Sequence, residues 1–155
     1  MTTAPRSRGD HRPRLPDRGS MTVEAAFLVV LLVVPLFYLV GTLGRLQAGA
    51  YAASAAAREA GRAAATAEAP EQAMERARAA AGLVLEAHGF DQGQGTVTLA
   101  CGTEECLAPG STVVADAAVV VALPLVPDFV RGAVPAQITL TARHTEPVDE
   151  FREAG

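Results

Sequence analysis

Gly19-Ser20-Met21-Thr22-Val23-Glu24-Ala25-Ala26-Phe27, running on without a charge to Leu43, is the stretch on which the reading of this chain turns. Between Ala25 and Leu43 there is no charged side chain, and Val29 to Val34 is wholly aliphatic. A helix of about 20 residues, rising ~1.5 Å each, covers the ~30 Å hydrocarbon core of a bilayer. A soluble core helix seldom stays apolar on every face for so long, so the stretch predicts a membrane-spanning helix. Pro35 removes one backbone hydrogen bond inside it, which spanning helices tolerate. Arg45 closes the segment on the far side, where a long aliphatic stem lets its charge reach water.

Upstream lies a segment with no hydrophobic face. Residues 1–19 carry Pro5, Pro13, Pro16, Gly9 and five arginines (Arg6, Arg8, Arg12, Arg14, Arg18) against Asp10 and Asp17, a local charge of +3. The whole chain is at −4, so everything from Ser20 onward sits at −7. A basic segment before a span is retained in the cytoplasm, which predicts the N-terminus inside and the rest outside a bacterial cell membrane. The arginines are not adjacent, so this is no twin-arginine signal, and no cysteine follows the apolar run closely enough for a lipoprotein. The remaining length of a 155-residue, 50% hydrophobic chain holds one small domain. Its acidic balance, with a pI near 5.3, gives no footprint for nucleic acid.

Glu24 needs an explanation. A carboxylate at the bilayer centre costs ~2.5–3.5 kcal/mol on insertion scales, and less near the interface. Cleavage after Gly19 would place a new α-ammonium on Ser20, four residues and one helical turn from Glu24 on the same face. A basic leader, Gly19, Ser20, Glu24 five residues past the glycine, and then a long apolar helix resemble the processing site of type IV pilins and pseudopilins. The layout is similar to the TadE-like group of Tad (tight adherence) pilus proteins, over roughly residues 19–62. The resemblance implies cleavage after Gly19 by a prepilin peptidase, with Glu24 and Phe27 guiding assembly. It also implies a pilin-like plan of one long helix on a small sheet, with other pilus subunits and assembly proteins as partners. Major Flp-type pilins carry an aromatic directly after the glutamate. Here Ala25 and Ala26 intervene before Phe27, which points to a minor pilin or pseudopilin. Translation from Met21 is the alternative that would leave neither leader nor cleavage site.

Residues 45–89 read as exported alanine-rich helices. Ala48, Ala52, Ala56, Ala60 and Ala64 recur every fourth residue, a seam that permits close packing against a filament or a partner helix, or that alanine abundance alone produces by chance; with the second helix it could also cover the sheet. Alanine is also the best helix former, so the spanning helix is expected to continue outward. Tyr51 suits the interfacial belt. Pro70 opens a second helix over 71–88, with Glu71 and Glu75 near its positive end and Met74, Ala77, Ala81, Val84 and Leu85 on its apolar face. Glu75, Arg76 and Arg78 face water, and His88 with Gly89 ends it.

Residues 95–147 read as a small β domain. Thr96–Cys101 alternates Val97, Leu99 and Cys101; Thr112–Leu123 puts Val113, Val119, Val121 and Leu123 on one face; Gln137–Thr145 buries Ile138, Leu140 and Ala142. Prolines 124, 127 and 135 punctuate the last connection. Three strands predict an antiparallel sheet that needs a cover, and hence an α+β, membrane-anchored fold. Residues 148–155 form a charged tail, expected to fray.

Cys101 and Cys106 lie outside the cytoplasm on this topology, where a disulfide is the default. A metal would need His88 and His144 as further ligands, and free thiols are the third option. Asp116, inside a valine-rich strand, is expected to face solvent. The histidines (His11, His88, His144) are dispersed and no glycine-rich phosphate loop follows a strand, so the expectation is no enzyme, no cofactor and no small-molecule substrate. The expected function is a minor pilin, pseudopilin or assembly factor of a Tad-type (Flp) pilus. One competitor is an uncleaved, single-pass extracytoplasmic binding or scaffold protein. The other is a secreted protein cut after Ala50 in Ala48-Gly49-Ala50, although the apolar run exceeds the usual ~7–15 residues of a signal peptide.

Overall fold

Residues 18–102, 106–123 and 136–152 are described by the computed structural model; residues 1–17, the loop residues 103–105, the proline-punctuated connection 124–135 and the tail residues 153–155 lie outside them. The elements are α1 (Arg18–Ala65), α2 (Pro70–Ala87), a short 3-10 turn (Gln92–Gln94), β1 (Gly95–Cys101), β2 (Thr112–Ala122) and β3 (Gln137–Pro147). This is an α+β arrangement with a three-stranded antiparallel sheet in the order β1-β2-β3. The chain divides into two units between Phe37 and Tyr38, inside α1.

In the first unit, α1 is apolar and bare. Phe27, Leu28, Leu31, Leu32 and Phe37 are all more than half exposed. Among the described residues of this unit nothing supplies a core for them.

In the second unit, α1 changes character. Leu46 and Ala48 are half-buried, and Ala52, Ala53, Ala56, Ala57, Ala60 and Ala64 are closed from solvent. Two glycines on this stripe show what it packs against. A Cβ on Gly49 would overlap Val121 Cγ2 and crowd Leu140 and Phe90; one on Gly61 would touch Glu146, His144 and Ala115. The seam therefore lies on the chain's own sheet. Small side chains are required there because the helix backbone approaches β2 and β3 closely.

The sheet alternates as a one-sided sheet must. Val113, Ala115, Ala117, Val119 and Val121 of β2 are buried, while the intervening residues are half-open. Their partners in β3, at 138, 140, 142, 144 and 146, are only half-buried, because β3 is an edge strand. In β1, Val97 is buried and Leu99 half-buried, but Cys101, expected on the same covered face, is exposed at the strand's end.

α2 buries Ala73, Ala77, Ala81 and Leu85. The face is rotated from the expected one toward Ala73, with Met74 and Val84 half-buried at its flank. Pro70 stands in the first turn, where its missing N–H costs nothing. The helix stops in a Schellman turn: Phe90 N–H donates to Leu85 O at 2.9 Å and Gly89 N–H to Glu86 O at 3.0 Å. Gly89 takes φ +75, a left-handed conformation that a glycine adopts without a Cβ penalty. Phe90 and Leu85, the hydrophobic pair of that motif, are both buried.

The guanidinium of Arg45 lies 4.8 Å from the centroid of the Phe90 ring, a cation–π contact. One expectation is corrected. The segment after Pro147 does not fray at once. Val148 is buried, its N–H donates to Ser111 O at 2.8 Å, and Arg152 reaches the far end of α1.

Candidate functional site

Arg18, Gly19 and Ser20 form the first turn of α1 as it is described, and Glu24 follows one turn on. Glu24 and Phe27 are three residues apart and therefore neighbours on one side of the helix. Both are exposed, Phe27 at 64%. Among the described residues no cation forms an ion pair with Glu24. The helix that begins there is long and apolar enough to cross a membrane: its most apolar window has a mean hydropathy of 2.6 and none of it is buried. Burial is what separates a span from the core helix of a soluble domain, and this window lacks it.

The second group of sequence-selected residues is separate from the first. Cys101 and Cys106 are joined by a disulfide across five positions of chain, with 5.0 Å between Cα atoms. It closes the β1 end of the β1–β2 hairpin, where Gly102 N–H still donates to Thr112 O at 3.0 Å. Each residue that a metal would need as a further ligand is engaged elsewhere. His88 Nδ1 lies 2.9 Å from Val84 O within its own helix end, and His144 Nε2 pairs with Glu146 Oε2 at 2.9 Å. Among the described residues no group of three or more His, Cys, Asp or Glu side chains is arranged to hold a metal ion.

Asp116 faces away from the helices. It accepts two hydrogen bonds from Arg143, directly opposite in β3, at 2.7 and 3.1 Å. The hydrogen bond first, and the opposite charge second, raise the Arg143 pKa above its ordinary value. Both side chains are solvent-accessible, so the pair is a cross-strand surface contact. A cleft of 510 Å³ opens between α2 and β1, lined by Glu75, Arg78, Leu85, Thr96 and Val97 among others. Neither histidine nor cysteine lines it.

Sequence reasoning missed Arg152, Arg76 and Phe90, which secure the ends of the two helices. Phe90 follows the glycine that ends α2, and a hydrophobic residue in that place is the signal that would have found it. Nothing local distinguishes Arg152 or Arg76 from any other exposed arginine. No family model, no curated protein and no solved structure matches the chain.

Proposed function

We propose that the protein is a minor pilin, pseudopilin or assembly factor of a Tad-type pilus, held in a bacterial cell membrane by the first part of α1. On this reading the N-terminus is cytoplasmic, the apolar run to Leu43 spans the bilayer, and the α/β unit beyond it is extracytoplasmic. A prepilin peptidase removes residues 1–19, and the mature chain starts at Ser20. The observation that carries the proposal is positional: the Gly19–Ser20 bond and Glu24 stand one turn apart at the entry to an exposed apolar helix.

The physics of Glu24 follows from that position. A carboxylate beside lipid is favourable only when an opposite charge is near. The Ser20 ammonium, released by cleavage, supplies one in the same chain or in a neighbouring subunit. Pairing between subunits would fix the axial register of adjacent helices, while Phe27 and the aliphatic side chains beyond it fill the contact between them. The folded unit then decides what surface the subunit presents.

Secretion with a cut after Ala50 is the weaker alternative. Leu46, Ala48 and Gly49 already belong to the folded unit's helix–sheet contact, so such a cut would remove part of its packing. An uncleaved anchor shares every feature except the processing step.

The test uses Glu24→Gln in a bacterium that assembles a Tad-type pilus. Wild-type protein is expected to co-purify with sheared pili or their assembly complex. The variant is expected to reach the membrane, be cleaved, and fail to join them. Normal incorporation of Glu24→Gln would remove the assembly role assigned to this carboxylate.

A further inference from the structure

The carbonyls that follow the last turn of α1 are not satisfied by their own neighbourhood. Arg62 O accepts from Thr66 N–H and from the Thr66 hydroxyl at 2.8 Å, and Ala64 O accepts from Ala67 N–H at 3.0 Å. The next four carbonyls in the chain are met by two arginines. Arg76, from α2, donates to Thr66 O at 3.2 Å. Arg152, from the other end of the sequence, donates to Ala65 O at 3.0 Å, to Ala67 O, and to Glu68 O at 3.1 Å. A helix C-terminus leaves its final carbonyls orphaned and carries partial negative charge, so a guanidinium with a rigid fork of donors suits it.

Arg152 is held in place by what precedes it. Val148 is 2% exposed and extends the β2–β3 ladder one step past Pro147 by donating to Ser111 O. Asp149 then turns the chain: its carboxylate accepts from Phe151 N–H at 2.9 Å and its carbonyl from Arg152 N–H at 3.3 Å. Phe151 is left 91% exposed, so the turn is not made to bury that ring. Its structural product is the placement of Arg152.

We propose that residues 148–152 are a strap that closes the α1–α2 joint, with Arg152 as its clasp. Until the strap is seated, the carbonyls of residues 65, 67 and 68 lack protein donors and the joint opens locally while the sheet stays formed. On the topology proposed above, Arg152 crosses the membrane after both helices and all three strands, so the end of α1 closes only once these have crossed. That consequence rests on the proposed topology; the strap itself does not.

Elastase, which cuts after small residues, reads the joint directly in the full-length protein held in detergent micelles, with fragments identified by mass spectrometry. Wild-type protein is expected to resist cutting between Ala65 and Ala69. Arg152→Gln is expected to be cut there about tenfold faster or more, since it loses hydrogen bonds from a charged donor that hold the joint shut. β2 and β3 are expected to stay intact in the same sample, and Phe151→Ala to behave as wild type. The proposal is overturned if Arg152→Gln is cut at the wild-type rate. It is equally overturned if cutting appears at the same rate in β2, which would mean global unfolding, or if Phe151→Ala opens the joint as well. None of these outcomes bears on processing after Gly19, so the two readings fail separately.

Discussion

Gly49 and Gly44 lie five positions apart on the same helix and carry opposite expectations. Gly44 has open space around it, whereas a methyl on Gly49 would enter the volume of Val121 and Leu140. Gly49→Ala is therefore expected to destabilise the folded unit by about 1–3 kcal/mol, the usual cost of overpacking. Gly44→Ala should be neutral or stabilise by up to about 1 kcal/mol through helix propensity. Thermal unfolding of the two variants in micelles, followed by circular dichroism, checks the contrast. Arg143 supplies a second residue-level expectation. A basic group whose folded pKa is raised stabilises fully below its unfolded pKa and loses that contribution only as pH rises through the folded value. For Arg143 that window is strongly alkaline, so its pairing with Asp116 predicts no change in stability between about pH 5 and pH 9 from the arginine side. Because the pair is exposed, Arg143→Ala should leave the melting temperature almost unchanged, and added salt should narrow what difference remains.

At the scale of the element, much of the fold was legible because it follows from short-range periodicity. The alanines every fourth residue do mark a buried stripe, and the alternation in 112–122 does mark a sheet covered on one side. What periodicity could not choose was the partner of the stripe, since close approach serves a neighbouring subunit as well as a sheet. Gly49 and Gly61 decide it only once β2 and β3 are in place. The rotation of α2 toward Ala73 was hidden for a related reason: Met74 is the more hydrophobic side chain, but the tight contact selects the smaller one. The docked end of the chain was not legible at all, because Arg152 acts on residues 84 to 87 positions earlier. Two expectations belong here. Leu85→Ala, at a side chain 3% exposed that also sits against Gly95, should cost about 2–4 kcal/mol. Reducing the Cys101–Cys106 disulfide should cost about 2 kcal/mol for so short a loop, read as a lower melting temperature in dithiothreitol than without it.

For the whole molecule, the chain combines an apolar helical stretch that buries nothing of its own with an α/β unit that buries its own core. Length and composition allow the former to cross a membrane, and the resemblance around Gly19 and Glu24 turns that capacity into a proposal about pili. Of the candidate site, the sequence displayed the residues and their spacing; the helical turn between Ser20 and Glu24 adds geometry, and the processing chemistry lies beyond both. If the helix spans, Leu31→Arg near the middle of the run should cost ~2.5–3.5 kcal/mol of insertion and lower the carbonate-resistant membrane fraction, whereas the same change at Tyr51 should not. The most direct test of the proposed role is the N-terminal sequence of the protein purified from cells with and without a prepilin peptidase. The account predicts a mature chain beginning at Ser20 only when the peptidase is present. An intact leader in both cells, or a chain beginning at Tyr51, contradicts it.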